Sequence, residues 1–207
     1  MIDQFHGNEI LPRNFLAYFT TLIPKIKCPF ELTYYRHISL LGYLYKLVAK
    51  VLAVRLTGVM NSIISSTQST FLKGRNLVDG VLVVNEIVDL AKKTNRRCLI
   101  LKVDFEKAYD SVKWPFLEYM LGRVGFHLKW IAWMKACVYG GSMSIPVNGS
   151  PTYEISIQKV LKQGDLLAPF LYLIVAEGFS GLMRNAVNQN LFGGFDMGQN
   201  GLVISHL

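Results

Sequence analysis

Apolar positions recur at helical spacing through "YLYKLVAKVLAVRLTGVMNSII" and predict one long helix from Tyr43 to about Ile64. After a Ser/Thr-rich loop (65–70) and the basic loop "FLKGRN", the spacing predicts a second helix from about Leu77 to Lys93. The period is lost in "RRCLILKVDF". There a short run of β-branched and apolar residues bounded by charge reads as a buried strand over 98–105. Helices are expected at about 114–124 and 128–139, with Pro115 suited to a first turn. "SMSIPVNGSPTYEISI" alternates around Asn148-Gly149, a strong hairpin signal. The same residues form an Asn-x-Ser sequon, but Pro151 follows and no secretory signal is evident, so the turn is the expected use. A helix of about 169–187 comes next, and the tail "GQNGLVISHL" reads as the start of a strand. Residues 1–42 hold extended segments broken by Pro12, Pro24 and Pro29. This order predicts an α+β fold, with helices packed on a mainly antiparallel sheet.

Composition changes the picture in a few places. At 51% hydrophobic and 17% charged, the chain is apolar for a self-sufficient domain, so some apolar surface is expected to belong against segments outside it. Its longest apolar runs, such as "FLYLIVA" (170–176), fall well short of the roughly 20 residues that a spanning helix needs. No membrane segment is expected, and the start, "MIDQFHGNEI", does not read as a secretory signal, which points to an intracellular protein. Cys28, Cys98 and Cys137 are too scattered for a disulfide or zinc framework, so free thiols are expected. The four histidines meet no metal-ligand spacing. The net charge of +8 favours an anionic partner such as nucleic acid, although a solubilising surface gives the same excess.

Three stretches carry candidate chemistry. In "KVDFEKAYDSV" the expected strand delivers Asp104 at its C-terminal end, where a carboxylate can offer oxygen to a hard cation such as Mg²⁺. The competing reading is that Asp104 and Asp110 cap a strand-to-helix turn, with Glu106 and Lys107 solvated. One carboxylate is not a site, because two-metal phosphoryl transfer draws carboxylates from several segments. In "LKQGDLLAPF" Gly164 allows close backbone approach and Gln163 can hydrogen-bond a ligand; a glycine turn with Asp165 as helix cap fits equally. Finally, Lys25, Arg36, Lys73 and Arg75 sit near turns where a guanidinium fork or ammonium can meet phosphate, or where each can simply be solvated.

Taken in order, "LIPKIKCP", "YRHISLLGYLYKLVAKVLAVRL", "QSTFLKGRNLVDGVLVVNEIVD", "KVDFEKAYDSVKW", "VNGSP" and "KQGDLLAPFLYLIVAEG" resemble the reverse transcriptase of LINE-type non-LTR retrotransposons, most closely the plant group. The resemblance implies a right-hand polymerase, with a fingers-like subdomain over 1–96 and an incomplete palm over 97–207. It implies that Asp104 is the first catalytic aspartate and binds Mg²⁺ beside the Phe105 carbonyl. Tyr109 is then the ring under the sugar that excludes a 2′-hydroxyl. Lys25 and Arg36 grip the triphosphate, and Gln163 and Gly164 pack against the incoming nucleotide and template base. Lys73, Gly74 and Arg75 form a template-contacting loop. The implied partners are an RNA template, a DNA primer and a deoxynucleoside triphosphate, and the family's life cycle implies a nuclear location.

Three departures from the family pattern read as drift: His37 where proline is usual, Leu166 where proline is usual, and Val160 where glycine is usual. A fourth is larger. The family's Tyr-Ala-Asp-Asp hairpin follows a "SHLQ"-like strand, and this sequence reaches Leu207 before it. With one matched carboxylate, two mutually repelling cations are not held, so the chain is expected to be a truncated domain without polymerase activity. The alternatives are a non-catalytic nucleic-acid-binding module and a non-functional retrotransposon relic.

Overall fold

The computed structural model describes residues 2–105, 107–198 and 202–206. In chain order the elements begin with α1 (Ile2–Asn8), α2 (Arg13–Leu16), β1 (Tyr18–Pro24) and β2 (Tyr35–Leu41). Next come α3 (Tyr43–Ile63), α4 (Leu77–Lys93), α5 (Trp114–Arg123) and α6 (Leu128–Val138). The rest are β3 (Ser142–Ser144), β4 (Pro146–Val147), β5 (Ser150–Pro151), β6 (Ile155–Ser156), α7 (Ala168–Asn188), β7 (Phe195–Asp196) and β8 (Val203–Ile204). The five long helices fall where periodicity places them, and helices combine with a largely antiparallel sheet as expected. Glu106, read above as a solvated neighbour of Asp104, lies outside the described residues, as do 199–201 of the tail and Leu207.

Chain contacts divide the molecule into two units: residues 1–56 with 106–175, and residues 57–105 with 176–207. The first unit is built on a four-stranded sheet of order β2-β1-β3-β6. β1 and β2 pair antiparallel from Tyr18 opposite Leu41 to Pro24 opposite Tyr35. β1 and β3 run parallel, and β3 and β6 antiparallel. The buried residues Tyr45, Val48, Ala49, Leu52, Ala53 and Leu56 form a stripe at helical spacing along α3. Leu117 and Leu121 of α5, Met134 and Cys137 of α6, and Leu171 and Ile174 of α7 are likewise buried in this unit.

Local chemistry sets the element ends. Asn76 caps α4, its side chain accepting from the Val78 amide at 3.1 Å. α4, α5 and α7 all end in the same double hydrogen bond, with a residue at positive φ just past the helix. At α5 this is Gly125, flanked by Phe126 N–H to Leu121 O and Gly125 N–H to Gly122 O; Asn95 and Asn190 serve the other two. At the β4–β5 turn Asn148 has φ 49° and Gly149 φ 83°, the pair of left-handed residues that a two-residue hairpin of native twist demands.

The expected strand over 98–105 does not form. The segment carries no regular structure, and Leu99 is 90% and Leu101 81% exposed. A β-run is stabilised only when a neighbouring strand supplies its ladder and its apolar face is covered. No described strand pairs with it. Asp104 is therefore exposed in an irregular segment of the second unit, not presented at a strand end.

Candidate functional site

In the first unit, three stretches of backbone are tied to one another. Ser39 N–H of β2 donates to Gln163 O at 2.8 Å, which seats the 160–164 loop on the strand. The same loop holds the turn after residue 106: Leu161 N–H donates to Tyr109 O at 2.9 Å and Val160 N–H to Val112 O at 3.1 Å. Gly164 is required at its position, because its φ is +104° and a Cβ there would stand 3.3 Å from Ser39 O.

These stretches enclose a cleft of about 460 Å³. Four of the sequence-predicted residues, Lys25, Arg36, Tyr109 and Gln163, line it together. Reasoning from sequence read two of its charged members otherwise, Asp110 as a turn cap and Lys107 as solvated, and gave His37 no role. Among its lining residues Lys25, Arg36 and Lys107 carry positive charge and Asp110 negative charge, an excess suited to an anion. Lys25 Nζ donates to Thr33 O at 3.1 Å, which places the ammonium at the β1–β2 connection. The Tyr109 ring is 5.4 Å from that of Tyr172 on α7, and burial raises its phenol above the ordinary value.

Beneath Gln163 lies a buried polar set. Asp165 caps α7, its Oδ1 accepting from the Leu167 amide at 3.1 Å, and its Oδ2 accepts from the Tyr45 hydroxyl. Lys162 Nζ donates to Cys137 O at 3.1 Å and lies 4.5 Å from the centre of the Tyr45 ring. Burial lowers the Lys162 ammonium from its ordinary value, and nearby Asp165 partly opposes this. The Asp165 carboxyl is raised by burial, opposed by the Tyr45 hydroxyl and by the Leu167, Lys162 and Leu166 groups around it. Gln163 and Gly164 thus sit between two buried charges whose side chains are anchored in the core.

The three departures from the family pattern each have a definite local setting. His37 Nε2 lies 3.0 Å from Asp110 Oδ1. Leu166 keeps an amide that helps hold the Asp165 carboxyl down against the effect of burial, and a proline has none to give. Val160 is held at φ 107°, a conformation that a β-branched residue adopts only under strain.

The remaining candidates belong to the second unit. Phe105 packs edge-on against Phe179, centroids 6.0 Å apart. Arg75 folds back on its own loop, its guanidinium donating to the carbonyls of Ile64, Ser65 and Gln68. Lys73 and Gly74 are exposed, and the Lys73 carbonyl accepts from Asn61 Nδ2 at 3.2 Å. Among the described residues no three histidine, cysteine, aspartate or glutamate side chains come together as a metal-binding group. Asp104 therefore does not fit a Mg²⁺ site with the acids described here.

Residues 23–196 match the profile of the reverse transcriptase (RNA-dependent DNA polymerase) family. The chain belongs to the reverse transcriptase family. Its relatives include the transposon TX1 uncharacterized 149 kDa protein of Xenopus laevis, 28% identical over 89% of this chain. The retrovirus-related Pol polyprotein from the type-2 retrotransposable element R2DM of Drosophila melanogaster is 26% identical over 81%. The chain spans 14% and 16% of the lengths of these two proteins. The apo telomerase of Candida tropicalis, truncated from its C-terminal domain, shares the fold over 86% of this chain and 41% of its own, with a TM-score of 0.52 and 14% identity. This reverse transcriptase chain has no helix, among its described residues, long and apolar enough to cross a membrane.

Proposed function

We propose that this chain is the nucleotide-gripping part of an RNA-directed DNA polymerase of a non-LTR retrotransposon, and that the cleft receives a deoxynucleoside triphosphate. The observation that carries this reading is the meeting of Lys25, Arg36, Tyr109 and Gln163, distant in sequence, in one cleft with an excess of positive charge. Arg36 offers a fork for two phosphate oxygens and Lys25 a point charge, the usual division of labour at polyphosphates. The Tyr109 ring lies under the sugar, where its bulk excludes a 2′-hydroxyl. Gln163 and Gly164 present a side-chain amide and close backbone to the base pair.

In the same reading Lys73 and Gly74 face the template, while Arg75 shapes the loop that carries them. The fingers extend to about residue 96 and the palm begins at 97. Asp104 and the Phe105 carbonyl would hold Mg²⁺ only with further oxygen donors beside them. RNA template and DNA primer are the macromolecular partners, and copying into a genome places the work in the nucleus.

Calorimetric titration with a deoxynucleoside triphosphate tests the reading. Arg36→Ala and Lys25→Ala should each weaken binding about tenfold, the scale of one charge-assisted hydrogen bond. A folded wild-type chain that binds no triphosphate, or an Arg36→Ala variant that binds it unchanged, refutes the assignment. Binding of nucleic acid alone, weakening steeply with salt, would instead identify a non-catalytic module.

A further inference from the structure

Besides Lys25, Leu32 and Thr33 of the β1–β2 connection, three walls line the cleft: β2, Gln163 of the 160–164 loop, and the turn of Lys107–Asp110. Two of the three joints between them are backbone hydrogen bonds. Ser39 N–H to Gln163 O joins strand to loop, and Leu161 N–H to Tyr109 O joins loop to turn. The third joint, from turn back to strand, is a close approach of two side chains without hydrogen-bond geometry, His37 Nε2 to Asp110 Oδ1 at 3.0 Å. His37 follows Arg36 directly, and Asp110 follows Tyr109 directly. The contact therefore lies between the immediate neighbours of Arg36 and Tyr109, two residues that line the cleft. Both side chains are partly exposed, at 39% and 27%, so either can be replaced without opening a buried void.

We propose that the His37–Asp110 pair is a positioning strut. It closes the ring of walls and holds Arg36 and Tyr109 at the spacing that a bound nucleotide requires, and it touches no reacting atom itself. The inference rests on the nucleotide reading of the cleft. Its sign separates it from plain electrostatics. Asp110 is the acid among the cleft's lining residues, facing Lys25, Arg36 and Lys107. If its charge were all that mattered, removing it would strengthen anion binding. A strut predicts the reverse.

Two measurements on the full chain decide it. Titration with deoxyguanosine triphosphate should show His37→Ala and Asp110→Ala each binding about fivefold more weakly. The double variant should bind no more weakly than the worse single one, because the second substitution breaks a joint already open. An Asp110→Ala variant that binds as tightly as wild type, or a double variant showing the product of the two losses, overturns the strut. Hydrogen exchange without ligand reads the joint independently of nucleotide. The Asp110 and Ser111 amides, both bonded to Lys107 O, should exchange at least threefold faster in each single variant. Unchanged exchange also overturns the proposal. A wild-type chain that binds no triphosphate refutes the nucleotide reading instead, and exchange then decides the strut by itself.

Discussion

Val160 and Gly164 lie four positions apart in one loop, and their conformational demands run opposite to their side chains. Both have φ above +100°. Gly164 adopts it without strain, whereas Val160 bears a branched side chain there, at a cost of about 1–3 kcal/mol. Val160→Gly should stabilise the chain by about 1 kcal/mol, since relief of strain exceeds the roughly 0.5–1 kcal/mol of added freedom that glycine brings to the unfolded chain. Gly164→Ala should destabilise it by about 2 kcal/mol, through the positive φ and the 3.3 Å approach to Ser39 O. Urea unfolding of the two variants beside wild type checks both signs, and a destabilised Val160→Gly chain contradicts the argument. The glycine of "KQGD" is legible in sequence as a special backbone position. Nothing in the string "QKVLK" announces that Val160 occupies one, because φ at that residue is imposed by the hydrogen bonds anchoring it to Val112 and Trp114.

At the scale of elements, helices and turns were legible, whereas the strand expected over 98–105 is not formed. The ends of α4, α5 and α7 and the Asn148-Gly149 turn depend on residues within a few positions of each other, so local chemistry decides them. The run 98–105 has strand composition, but a strand is a pairwise object, and here it lacks a described partner. Leu99 is 90% and Leu101 81% exposed. Brief trypsin treatment should therefore cut after Arg97 or Lys102 well before sites within α3, α4 or α7. Mass spectrometry of the first fragments reads this directly. Early cleavage within a helix with 96–102 intact would show that the segment is paired after all.

For the molecule as a whole, the core of the first unit combines an apolar stripe with ionisable groups that water does not reach. Cys137 is fully buried, and burial first, with the Asp165 charge behind it, pushes its thiol up to about 12. At pH 8 about one part in ten thousand of it is thiolate, and that fraction is sterically shielded. Cys28 and Cys98 are exposed. A thiol reagent should thus label two cysteines quickly in the native state and Cys137 only as fast as the first unit opens; three equally fast thiols would contradict the buried network.

The sequence by itself determined the helices, the capped ends, the hairpin, the basic residues and the family, because each is written in neighbouring residues or in motif order. The tertiary structure alone decided that Lys25, Arg36, Tyr109 and Gln163 share one cleft, that His37 faces Asp110, and that the run before Asp104 pairs with no described strand. Those outcomes depend on which distant segments meet and exchange hydrogen bonds, and periodicity along a chain carries no record of a partner elsewhere on it.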